Sequence, residues 1–258
     1  MKFRITTTLL LWAVVAFASL GQGKVFPYLD GNDHLSGYLV KAKSAKKTIP
    51  GVVVIPAWMG GNEHTHHSAD QLAALGYHAL VADIYGEGKN PKSVTEAKEI
   101  SSYYKNNPVI YQRRIKVAMD ELVKQGADPA NIAVMGYCFG GTGALEAARG
   151  GLSVKGVISF HGGLGKDTTR ANGPIAPRVL VLHGADDPYV PQNQIMAFQQ
   201  EMRAAKADWQ MIYYANSVHA FTEPAAGNDN SKGAAYNELA AKRSWEHLQL
   251  FLTDLFTK

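Results

Sequence analysis

The chain has one cysteine, Cys138, among 258 residues, so no disulfide can form within it. It lacks a strong charge of either sign: 26 Lys and Arg against 22 Asp and Glu leave a formal net charge of +4. No stripe of Lys and Arg interleaves with aromatics, so nothing points to nucleic acid. Heptads, internal repeats and low-complexity runs are missing, as is any linker rich in Pro, Gly or Ser. The longest apolar run, Thr6 to Phe17, is short of the ~20 residues that a membrane-spanning helix needs. Lys2 and Arg4 precede it, and Ala16-Phe17-Ala18 places small residues two apart at its end. Residues 1–20 therefore read as a secretory signal peptide, and no cysteine stands there to take a lipid. Its loss would remove two positive charges. The expected mature chain, 21–258, is one domain that is periplasmic or secreted, with no membrane attachment after cleavage. A lone thiol in such a place is either buried and inert or reactive.

What is present is ordinary globular composition, 46% hydrophobic and 19% charged. After a lead-in from Gly21 to Lys47 with a strand at Ser36–Val40, apolar runs of strand length alternate with amphipathic stretches. Strands are expected at Gly51–Pro56, Tyr77–Ile84, Ile132–Met135, Val154–Phe160, Arg178–His183 and Trp209–Tyr214. Helices are expected at Ser68–Leu75, Ser93–Tyr104, Pro108–Lys124, Thr142–Arg149, Pro191–Ala205 and Ala234–Phe256. Gly51-Val-Val-Val-Ile-Pro56 is too uniformly apolar for a one-sided strand, so helices should cover both faces. The fold class is α/β, with a mostly parallel central sheet between helices.

Such sheets bind ligands at the carboxyl ends of their strands. Cys138 lies there, in Gly136-Tyr-Cys-Phe-Gly-Gly141, between a strand and a helix. Glycines two before and two after it suit a sharp strand-to-helix turn, where side chains would clash. That context makes Cys138 a nucleophile rather than a small buried hydrophobe. A helix beginning just after it favours a thiolate, and the amide of Phe139 is a donor for an oxyanion hole.

An acid and a base should follow in that order. Val179-Leu-Val-Leu-His-Gly-Ala-Asp-Asp-Pro188 is a strand ending in a turn with two aspartates, Asp186 and Asp187. Either fits. After the strand Trp209–Tyr214, His219 stands on a loop and can take the thiol proton. His183 is a rival inside a strand, where burial is expected. His161, ending the strand before, is a candidate pocket residue.

Gly-Tyr-Cys-Phe-Gly-Gly, then His-Gly-Ala-Asp-Asp-Pro-Tyr-Val-Pro, then Val-His-Ala-Phe-Thr, together with Val81-Ala-Asp-Ile-Tyr-Gly86, resemble the dienelactone hydrolases. The resemblance runs from about Gly51 to the C-terminus. It implies an α/β-hydrolase fold that opens lactones or cleaves small esters without metal or cofactor. It implies Cys138 as nucleophile, Asp187 as acid because it precedes Pro188-Tyr-Val-Pro191, and His219 as base. It also implies an oxyanion hole from the amides of Phe139 and Trp58. The chain departs from the family pattern twice. Ala57 stands where members often have Glu, and Glu223 where dienelactone-cleaving members have Arg. A carboxylate at 223 would repel a carboxylate substrate, so neutral or cationic esters, lactones or thioesters are expected, with Arg113 or Arg114 as other sources of positive charge.

Weaker features complete the reading. Trp58, Tyr85 and Phe139 are expected to form an apolar wall, with core packing as the alternative. Glu63-His-Thr-His-His67 matches no standard zinc spacing and reads as a solvated loop near the pocket mouth, or as pocket lining. The expected partner is a small ester or lactone substrate, and the expected state is a monomer. The rival readings are a silent α/β-hydrolase that only binds a ligand or partner, and thiol redox or metal binding through Cys138 and the histidines, with no second cysteine to resolve a sulfenic acid.

Overall fold

The computed structural model describes residues 23–45 and 47–257, so the expected signal peptide at 1–20 lies outside the described residues. The strands are β1 (Lys24–Asp30), β2 (Asp33–Val40), β3 (Ile49–Ile55), β4 (His78–Val81), β5 (Ala127–Tyr137), β6 (Gly156–Phe160), β7 (Arg178–Gly184) and β8 (Trp209–Tyr214). The helices are α1 (Glu63–Ala74), α2 (Val94–Asn106), α3 (Pro108–Lys124), α4 (Phe139–Arg149), α5 (Gln192–Ala204) and α6 (Glu238–Thr257). All eight strands form one sheet in the order β1-β2-β4-β3-β5-β6-β7-β8. From β4 to β8 the pairs are parallel, and only the β1–β2 hairpin and its junction with β4 are antiparallel.

The apolar strands serve two cores because successive side chains point to opposite faces. Val53, Ile55, Val134 and Val181 pack with Ile115 and Leu122 of α3, Ala144 of α4 and Phe198 of α5. Val52, Val54, Met135 and Leu182 pack with Leu72 of α1 and with Leu248 and Leu252 of α6. Strands buried on both faces need apolar residues at every position, which is why Gly51–Ile55 reads as an unbroken run.

Several element bounds differ from the sequence expectation, β5 starting at Ala127 and α6 at Glu238 among them, and four differences have a clear physical reason. The first is β1, which occupies part of what reads as a lead-in. Its Pro27 and its outward Val25 and Leu29 fit an edge strand, where a missing N–H is tolerated. α1 begins at Glu63 rather than Ser68, because Asn62 and Thr65 form a reciprocal capping box. The histidine-rich segment is thus helical, not a solvated loop. α4 begins at Phe139 rather than Thr142, directly after Cys138. The fourth, β4, ends at Val81 because Asp83 turns the chain, its Oδ1 accepting from the amides of Tyr85 and Gly86.

Candidate active site

Cys138 sits at the carboxyl end of β5 with φ +53 and ψ −113, a left-handed backbone for a non-glycine residue. Such a conformation costs about 1–3 kcal/mol and persists only where the surroundings impose it. They do so by close approach. A Cβ on Gly136 would lie 2.1 Å from the carbonyl oxygen of Gly140, and one on Gly140 would lie 2.0 Å from that of Ile55. The glycine frame therefore lets β3, β5 and α4 converge under the thiol. Gly140→Ala is expected to cost about 3 kcal/mol. It should lower the urea midpoint of unfolding, and an unchanged midpoint would refute the crowding argument.

Phe139 opens α4, so its N–H has no acceptor within the helix and points with the positive end of the dipole. Its ring stacks on Tyr111 with centroids 4.7 Å apart, and the Tyr111 hydroxyl donates to the Phe139 carbonyl at 2.9 Å. Tyr85 is buried, 5.5 Å from the Phe139 ring, and its hydroxyl donates to the carbonyl of Trp58 at 2.9 Å. Tyr85 thereby fixes the loop after β3 that carries Ala57 and Trp58. Burial, reinforced by the nearby Cys138, pushes its phenol pKa up.

The Asp187 side chain is fully buried just after β7. Its Oδ1 accepts from the Tyr189 amide at 2.9 Å, and its Oδ2 lies 2.8 Å from Nδ1 of His219. Asp186, one residue earlier, is exposed. Cys138 lies near enough to His219 to favour its protonated form, so the imidazole stands beside both thiol and carboxylate. Burial pulls its pKa down, but the bond to Asp187 and the nearby Cys138 overcome this and hold it at about 10. The imidazole thus holds its proton at neutral pH. His183 is buried within β7 against Tyr213 and plays no part in this contact.

A cavity of about 170 Å³ opens beside the elbow, with Ala57, Tyr85 and Phe139 on its wall and Tyr38, His66 and Asn90 opposite. Among the described residues, no Lys or Arg lines it. Arg113 and Arg114 are held instead by Asp30 and Asp33, at 2.5–2.7 Å, where they brace the β1–β2 hairpin against α3. Their expected role as a positive group for substrate has no support in that placement. His161 and Glu223 are not on the cavity wall either. His161 is wholly buried behind His219, their ring centroids 5.3 Å apart.

Glu223 is buried against the start of α1 beside Asn62, where its Oε1 has no hydrogen-bond partner and His64 Nε2 lies 3.8 Å from it. Burial raises its carboxyl to about 7. Burial, with a smaller push from His67, lowers His64 to about 4. Near neutrality His64 is therefore uncharged and Glu223 about half ionised, so the contact is not a full ion pair. An acid with a raised folded pKa stabilises fully below its unfolded value of 4.5, and that contribution fades as pH rises through about 7. Glu223→Gln should accordingly be near neutral at pH 4.5 and stabilising by about 2 kcal/mol at pH 8. Urea unfolding at both pH values checks this, and an equal effect at the two would refute it. Among the described residues no group of three or more His, Cys, Asp or Glu could hold a metal ion, the Glu63–His67 segment included.

A parallel sheet with an antiparallel hairpin at one edge, and a strained residue on a strand-to-helix elbow, define an α/β-hydrolase. The chain matches the dienelactone hydrolase family over residues 35–256 and belongs to that family. It is 35% identical to a dienelactone hydrolase-like promiscuous phosphotriesterase from metagenomic libraries, with a TM-score of 0.84 over 90% of this chain and 98% of that one. A Yersinia pestis protein provisionally named a carboxymethylenebutenolidase is 28% identical, over 88% of this chain and 84% of its own length. A Bradyrhizobium protein provisionally named a 2-oxo-3-(5-oxofuran-2-ylidene)propanoate lactonase is 25% identical, over 79% and 83%. By this membership the chain is a hydrolase.

Proposed function

We propose that the chain cleaves a small carboxylic ester or lactone through Cys138, His219 and Asp187. The observation that carries this is the His219 imidazole, bonded to Asp187 at 2.8 Å and close enough to Cys138 to be stabilised by it, beside a strained elbow. In the reaction the sulfur of the thiolate attacks the acyl carbon. The carbonyl electron pair moves to oxygen, which accepts hydrogen bonds from the amides of Phe139 and Trp58. Collapse of that intermediate breaks the acyl C–O bond, and the departing alkoxide takes the proton of His219. Water then gives a proton to the neutral imidazole and attacks the thioester, releasing the acid and restoring the thiolate–imidazolium pair. Asp187 holds the imidazole tautomer and steadies its charge. In a lactone the alcohol stays tethered to the product.

The cavity favours a neutral substrate, since no cation lines it and Asp83 is committed to backbone amides. The phosphotriesterase relative makes neutral phosphotriesters worth assaying beside esters. Residues 1–20 would direct export, and N-terminal sequencing of the mature protein tests that. For the activity, the protein is mixed with 4-nitrophenyl acetate and quenched early. An acetyl adduct on the Cys138 peptide and a burst of nitrophenolate are expected. Neither signal, with turnover no greater than in Cys138→Ala, would sink the hydrolase reading.

A further inference from the structure

Strands β5 and β6 run side by side in register, Tyr137 beside Phe160, and each is followed directly by a non-glycine residue with positive φ. One is Cys138. The other is His161, at φ +39, whose amide donates to the carbonyl of Leu182 at 2.9 Å. Strain of this kind collects at functional sites, and nothing in the proposed triad accounts for it at His161.

The surroundings of His161 are specific. Its Nε2 lies 2.8 Å from the Thr222 hydroxyl, and that same oxygen lies 3.4 Å from Nε2 of His64 on α1. Its ring meets that of His219 edge to face at 66°, and meets Phe221 at 78° from the other strand-end loop. Nδ1 is buried without a hydrogen-bond partner, which costs about 1–3 kcal/mol. A core filler with no other duty would be cheaper as phenylalanine. The outer end of the chain, at His64 and Thr222, opens into a groove of about 520 Å³ between α1 and α6.

We propose that His161 is a positioning residue for His219: clamped by Thr222 and, through it, by His64, its ring holds the imidazole in line between Asp187 and Cys138. The inference rests on the triad reading and adds three residues to it. A hydroxyl has one proton, so Thr222 donates to at most one of its two imidazoles, and at least one of them carries its proton on Nε2. The ring must also be uncharged to sit against an imidazolium. Burial does this first, and the imidazolium of His219, with smaller effects from His64 and His183, pushes the same way, while Tyr137 faces the ring at 6.0 Å. The hydroxyl thus sets the orientation and burial sets the charge.

The test reads Cys138 itself. Rates of alkylation by iodoacetamide are measured against pH in the full chain for wild type, Thr222→Val and Thr222→Ser, with kcat and KM for 4-nitrophenyl acetate alongside. Thr222→Val removes the hydroxyl at nearly constant shape. It is expected to slow alkylation at pH 6.5 about tenfold, shift the midpoint of the profile upward, and lower kcat with KM unchanged. Thr222→Ser is expected to match wild type. His64→Leu, at the less buried end, should move the profile the same way by less, and it decides the matter if Thr222→Val does not fold. A wild-type profile in the folded variant overturns the proposal alone. A wild-type protein whose thiol alkylates like an ordinary exposed cysteine overturns the triad reading and the proposal with it.

Discussion

Cys138→Ala should lower kcat/KM for 4-nitrophenyl acetate by about five to six orders of magnitude. Removing the nucleophile of a catalytic triad removes the covalent route altogether, leaving only binding and oxyanion donors, whose residual effect is about 10³–10⁴ over water. The local structure gives no substitute. Ser159, the nearest strand-end hydroxyl on β6, is buried beneath Gly141 and Gly162. The variant should fold, because the elbow is imposed by glycine contacts that alanine at 138 leaves alone. A second readout separates chemistry from folding. His219 is held at about 10 partly by the nearby Cys138, so its pKa should fall in the variant, which NMR titration of the imidazole can follow. Turnover above about 1% of wild type in a folded Cys138→Ala protein would show that another group does the work.

Much of this architecture is legible in the sequence because its signals are local. The unbroken apolar runs of β3, β5 and β7 announce strands covered on both faces. The glycines around Cys138 announce the elbow, since close backbone approach tolerates no other residue there. Other parts are not legible, because they depend on contacts between distant segments. The choice between Asp186 and Asp187 turns on which carboxylate faces His219, 32 residues on from Asp187. Thr222 meets His64 across 158 residues and His161 across 61. Glu223 reads as a free carboxylate in the sequence. Only its burial against Asn62 and His64 shows that its charge is suppressed. The capping box of Asn62 and Thr65 was a local signal, and it could have placed the start of α1.

Asp187→Asn should cost about 10⁴ in kcat/KM, for a reason the geometry makes specific. Asp187 Oδ2 is the acceptor for Nδ1 of His219 at 2.8 Å, while Oδ1 is already taken by the amide of Tyr189. An asparagine that keeps its oxygen on Tyr189 must turn its NH₂ toward the imidazole. A donor there demands a bare Nδ1, so the ring proton moves to the nitrogen that serves Cys138, and the neutral base is in the wrong tautomer. The charge is lost as well. Burial then opposes the imidazolium with only Cys138 to offset it, so the His219 pKa drops from about 10. Stability should follow with a definite sign. A histidine with a raised folded pKa stabilises fully below 6.5, and the gain is lost as pH rises through about 10. The deficit of the variant should therefore be largest near pH 6, about 3 kcal/mol, and shrink toward pH 10. Urea unfolding across that range, paired with ester turnover, tests both halves. A deficit that grows with pH would mean that the buried Asp187 carboxylate is a liability rather than the partner of a charged imidazole.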